Sequence, residues 1–104
     1  LVLALCLRNA NTNITSLGTG SFTTGLDTIA QGPYQTAIGR YNLGHTSQGV
    51  LFIVGNGTSD FNRNDALRIT TTTIHLDLAA IPTSNPNSVG QLWRDGTDLK
   101  ISTG

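Results

Sequence analysis

The 104-residue chain predicts an all-β fold, with a short-repeat β-roll or β-solenoid-like section followed by β-hairpins. Three observations carry that prediction. Four glycines, Gly18, Gly25, Gly32 and Gly39, recur every seven residues, and so short a period marks a brief strand plus a tight turn stacked on its own copies. Thr, Ser and Asn supply 32 residues while Glu and Met are absent, a mixture that disfavours long helices and suits short strands. The second half alternates apolar and polar residues between recognisable turn signals.

Composition also excludes several classes of function. Charged residues are 12% of the chain and sum to a net charge of zero, against a usual charged share of about 25%. The six cations are scattered from Arg8 to Lys100, so no basic patch exists to neutralise nucleic-acid phosphates. With 13 Leu, 8 Ile and 4 Val but few aromatics, the core of a lone monomer would be thin. Low net charge adds to this, because an isolated particle needs charge to stay soluble and a partnered surface does not. A single cysteine, Cys6, rules out an internal disulfide and a cysteine-based zinc site.

Three sections follow along the chain. Residues 1–15 are an N-terminal strand and arm: LVLALCL reads as a buried strand, too short to span a bilayer, and runs into a polar turn at Asn9, Asn11 and Asn13. The absence of an initiator Met suggests a processed or truncated beginning. Residues 16–49 are the glycine-heptad section. Four residues past each glycine stand Phe22, Ile29, Thr36 and Leu43, and five past stand Thr23, Ala30, Ala37 and Gly44. That pairing of a large column with a small one predicts a coil lined by stacked aliphatic residues, where small side chains allow close approach and each glycine supplies a positive φ.

Residues 50–104 are the β-hairpin section. Val50–Val54 is an apolar run suited to a strand buried on both faces, and Asn56-Gly57 is a strong hairpin signal. The loop after it places Asp60, Asn62 and Asn64 at alternate positions, but Asp65 stands where a calcium loop needs glycine and Thr71 where it needs Glu, so an Asx-rich turn rimmed by Arg63 is expected. Over residues 66–78, Leu67, Ile69, Ile74, Leu76 and Leu78 hold alternate positions, and the change of parity implies a bulge or turn within Thr70–Thr73. His75 then falls on the solvated face. Finally, residues 91–94 and 98–102 flank Asp95-Gly96-Thr97 as a second hairpin, and its lone Trp93 is either a packing anchor or a candidate glycan contact.

No catalytic constellation, metal site or cofactor motif is legible. Cys6 sits in an apolar run that disfavours a thiolate, and no nucleophile elbow of the G-x-S-x-G type occurs. His45 and His75 fit no metalloprotease spacing, and neither Gly18-Thr19-Gly20 nor Gly55-Asn56-Gly57 has the third glycine of a phosphate-cradling loop. Sequons at Asn13 and Asn56 arise readily by chance in a Thr-rich chain.

The stretch SLGTGSFTTGLDTIAQGPYQTAIGRYN resembles the head repeats of trimeric autotransporter adhesins and related repeats of phage tail fibres. TAIGRYN, residues 36–42, is the best match, while Leu26 and Pro33 depart from the pattern. Residues 50–69 resemble a segment of phage fibre and structural proteins, and residues 81–102 a short ending found in many virion proteins. The opening pattern of the self-cleaving chaperone domain that often follows in such fibres is absent. The resemblance implies an intertwined homotrimer located in a virion, with Phe22, Ile29, Leu43, Leu51 and Ile53 in the trimer core. Its expected partners are its own copies, other virion proteins and a host-surface glycan, with no nucleic acid and no membrane. A capsid decoration protein and a bacterial adhesin or glycan-binding module are the alternatives.

Overall fold

The computed structural model describes residues 5–7 and 14–104. Most of the expected N-terminal strand, the turn at Asn9, Asn11 and Asn13 and the side chain of Cys6 lie outside the described residues. Those described are all-β, without an α-helix. One sheet has six strands in the order β1 (Leu5–Leu7), β3 (Phe22–Thr24), β5 (Thr36–Arg40), β6 (Val50–Asn56), β7 (Asp65–Thr70) and β8 (Ile74–Leu76). A second pairs β2 (Thr15–Ser16) with β4 (Ile29–Ala30), and a third pairs β9 (Leu92–Asp95) with β10 (Asp98–Ile101). Pairing is parallel as far as β6 and antiparallel beyond it.

Register explains the glycine interval. Phe22 pairs with Thr36 in the large sheet and Thr15 with Ile29 in the small one, while Leu26 bridges to Arg40, each fourteen residues on. Seven residues are therefore half a circuit, and successive repeats alternate between the two sheets. The glycines stack in two separate columns as a result. A Cβ on Gly18 would collide with the carbonyl of Gly32, one on Gly25 with Gly39, and one on Gly39 with Gly55. Close backbone approach is thus their shared role.

Positive φ, expected at every periodic glycine, occurs at Gly25 (126°) and Gly39 (93°) but not at Gly18 or Gly32. The regular left-handed corner falls two residues later, at Gly20, Asp27, Tyr34 and Tyr41, with φ of 67°, 50°, 63° and 43°. Asp tolerates that region, whereas a tyrosine there stores roughly 1–2 kcal/mol. The Tyr41 carbonyl is occupied by the Asn64 N–H at 2.9 Å and the Tyr34 N–H donates to the Thr19 carbonyl at 2.7 Å. Those neighbouring bonds hold the strained corners in place.

The interior of the repeat section reverses the expected columns. Residues three past each glycine, Ser21, Thr28, Gln35 and Asn42, are buried, as are Thr23, Ala30 and Ala37 five past. The large column between them points away, because neighbouring side chains on a strand face opposite ways. Ala30, Ala37, Val50 and Ile53 form the apolar core. Most polar groups there are paired: Thr23 Oγ1 donates to Thr28 Oγ1 at 2.7 Å, and Ser16 and Ser21 share a hydroxyl bond of 2.6 Å. Gln35 Nε2 donates to the His45 carbonyl at 2.7 Å, while its Oε1 is buried without a partner.

Asn42 ends the small sheet. Its Oδ1 accepts the Ile29 N–H and its Nδ2 donates to the Ile29 carbonyl, both at 2.8 Å, so a fully buried side chain takes the place of the next backbone rung. A third bond, Nδ2 to the Leu43 carbonyl at 2.8 Å, completes the amide. Beyond β5 the circuit lengthens, since Thr36 pairs with Phe52, and the chain leaves the repeat through the β6–β7 hairpin.

That hairpin turns later than Asn56-Gly57 implies. Asn56 lies within β6, and the reversal is made at Ser59–Asn62, closed by Thr58 N–H to Asn62 carbonyl and Asn62 N–H to Ser59 carbonyl, both 3.0 Å. Gly57 is needed because any Cβ there would meet the Tyr41 carbonyl. The turn expected in Thr70–Thr73 joins β7 to β8, with Thr70 N–H on the Thr73 carbonyl at 2.9 Å. The last hairpin turns at Gly96-Thr97, with Asp95 and Asp98 as the closing pair and Gly96 at φ 62°.

Candidate assembly interface

The two faces of the six-stranded sheet differ sharply in chemistry. Its inner face carries the row Thr23, Ala37 and Ile53, all wholly buried against the small sheet. Its outer face carries a row that crosses all six strands through successive register partners: Leu5, Phe22, Thr36, Phe52, Ile69 and Ile74. Beside it runs Ile38, Val54, Leu67 and Leu76. Neither row contains a charged residue, and none of its members is buried. At the ends of the first row, Leu5 is 50% and Ile74 71% exposed.

Parallel coiling produces this face directly. Each circuit returns to the same sheet with the same parity, so one outward apolar residue per strand is enough to build a continuous row. Contiguous apolar surface of such extent is uncommon on a monomer and marks an interaction site.

The residues expected in a trimer core are not gathered on one surface. Phe22 is on the outer face of the large sheet, while Ile29 follows the small sheet and Leu43 lies beyond its Asn42 cap, on the other side of the coil. Leu51 is the bulged residue between the Val50–Thr70 and Phe52–Ile69 pairs and is 36% exposed. Ile53 is wholly enclosed by its own chain. Phe52, Ile69 and Ile74 complete the outer row yet carry no glycine period; alternation within each strand was their only signal.

A polar cluster locks the hairpin onto the coil. Buried Asp65 accepts the Leu43 N–H on Oδ1 at 2.8 Å and meets His45 Nε2 on Oδ2 at 2.8 Å, with Arg68 at 3.7 Å. Arg63, expected at the rim of a turn, reaches back to the carbonyls of Asp27 (2.9 Å) and Asn42 (3.1 Å) and lies 5.7 Å from the centre of the Tyr41 ring. A hydrogen bond with Asp27 raises the Tyr41 hydroxyl above its ordinary pKa. Asn64 Nδ2 donates to Asn56 at 2.9 Å and to Asp77 at 2.7 Å, and this bond, with the Ala79 N–H, holds the Asp77 carboxyl below its ordinary value. These groups are spent on structure.

Other candidates are placed as follows. His75 sits on the exposed edge strand with its Nε2 against Thr73 Oγ1 at 2.9 Å. Trp93 is half-buried, and the Lys100 ammonium lies over its ring, 5.4 Å from the centre. Among the described residues no three His, Cys, Asp or Glu side chains converge as a metal site would require, and no helix is long and apolar enough to cross a membrane. Comparison with protein-family models, with curated proteins and with solved structures finds no match.

Proposed function

We propose that this chain is a non-enzymatic structural protein of a virion that works as an intertwined homotrimer, the fibre or spike of a tailed phage. The observation that carries the reading is the outer row of the large sheet, uncharged across six strands and left unburied by its own chain. Fourteen-residue registers and stacked glycines support a β-roll in the repeat section, and such a roll offers neighbouring copies a flat, regular face. The placement in a phage fibre rests on the likeness of the repeat and of the two segments that follow it. Asp65, His45, Arg63 and Asn42 are committed to holding the hairpin and coil together, which favours a scaffold.

Three outer faces packed about one axis at the standard interface size would each remove about 800 Å² from water. At about 25 cal/mol per Å² for the apolar part, this gives on the order of 10 kcal/mol per chain before the costs of association. Mass measurement by light scattering during dilution tests the assembly: a trimer down to nanomolar concentration is expected. A folded monomer there would sink the shared face. Immunogold labelling of virions tests the location, with signal on the tail expected and signal over the shell favouring a decoration protein.

A further inference from the structure

We propose that Asn56-Gly57 is a deamidation site held shut by the native fold, and that its conversion, once the junction of β5, β6 and β7 opens, leaves a strand that cannot re-form that junction. The site lies within one chain and owes nothing to the homotrimer reading. Asn56 is the only asparagine followed by glycine, the residue that shields its own backbone nitrogen least because it has no side chain. The chemistry needs water alone. The Gly57 nitrogen bonds to the Asn56 Cγ while the Cγ–Nδ2 bond breaks and ammonia leaves, which closes a cyclic imide. Water then opens either ring carbonyl and gives aspartate or its β-linked isomer, so one water is consumed and one ammonia released.

The fold blocks each of these moves. Asn56 closes β6, pairs with Arg40, and donates its own N–H to the Asn64 carbonyl at 3.0 Å, so the rotation about its Cα–C bond that brings nitrogen to Cγ is denied to it. Gly57 is buried, its N–H rests on the Arg40 carbonyl at 3.2 Å, and the Tyr41 and Asn62 carbonyls crowd it. The Asn56 Oδ1 is held by Asn64 Nδ2 at 2.9 Å. Either product would fit this place badly. Hydrogen bonds from Asn64, the Ala79 N–H and Asn56 hold the Asp77 carboxyl below its ordinary value, so an aspartate at position 56 replaces a donor to Asp77 by a second negative charge. The β-linked isomer adds a carbon to the backbone of β6 and breaks its register with Arg40.

The test uses the full parent chain, aged in mildly alkaline buffer with and without urea, then digested and read by mass spectrometry at Asn56 and, as an internal reference, at the exposed Asn87. Conversion at Asn56 should be at least about 100-fold slower without urea than with it, while Asn87, which no strand holds, should change far less. Equal rates at Asn56 in the two buffers overturn the gate. For the product, the urea-aged sample is returned to native buffer and its folded and misfolded fractions are separated by size exclusion. The folded fraction should be depleted in converted chains, and equal content in the two fractions overturns the block to re-forming the junction. Asn56→Asp, made directly, should unfold at a lower urea concentration than the parent, and an unchanged midpoint overturns the part assigned to charge at Asp77.

Discussion

The coil of residues 14–56 and the terminal section from Leu78 onward are built of similar residues, yet they differ in what holds them. In the coil, Thr23, Thr28, Gln35 and Asn42 are wholly buried and hydrogen-bonded, so side-chain bonds do the work that a large apolar core does elsewhere. The terminal section buries only Ser102 among its residues. There, four leucines and isoleucines look outward. Burial inside one chain is thus concentrated in the coil, and the terminal section keeps its large apolar side chains exposed.

The largest expected break in that contrast comes from a glycine. Gly39→Val places a branched side chain at φ 93° against the Gly55 carbonyl, which the surrounding backbone cannot yield, and a loss of about 4 kcal/mol or more by denaturant unfolding is expected. Gly96→Ala, at φ 62° but with open space around it, should cost only about 1 kcal/mol. Equal losses at the two sites would erase the distinction. Asn42→Ala comes next: it strands the Ile29 N–H and carbonyl in the interior, and about 2–4 kcal/mol should be lost.

Hydrogen exchange sharpens the comparison without mutation. In dissociated chains the amides of Phe22 and Leu26, which donate to Gln35 and Gly39, should exchange only on global unfolding, and those of β9–β10 far sooner. The smallest effect is electrostatic. Asp77 has a folded-state pKa below its unfolded value, so its contribution is complete above the ordinary carboxylate range and fades as pH falls through the folded value. Asn64→Ala should therefore flatten the acid limb of a stability profile between about pH 5 and 2. An unchanged limb would remove Asn64 as the cause.

Much of the fold was legible. Strand class, the turn in Thr70–Thr73 and the terminal hairpin follow from local propensity and period-two patterning, and each forms where those signals lie. The columns were legible as columns, but which of them faces inward was not. Phe22 and Ile29 carry the same heptad position, yet they end on opposite sides of the coil because seven residues make half a circuit. Asn42 gave no sign of its role, since a buried amide replacing a strand rung looks like any turn asparagine in one dimension. Arg63 likewise finds its partners at Asp27 and Asn42, far away in sequence.

By itself the order of residues determined an all-β chain with a glycine-paced first half and hairpins after it, because turn chemistry and alternation act over a few neighbouring positions. Tertiary structure alone decided that the interior is small and polar while the large side chains form an outer face. That choice depends on a circuit of fourteen residues that sets successive heptads on opposite sides of the coil, a pairing that no local window of residues contains.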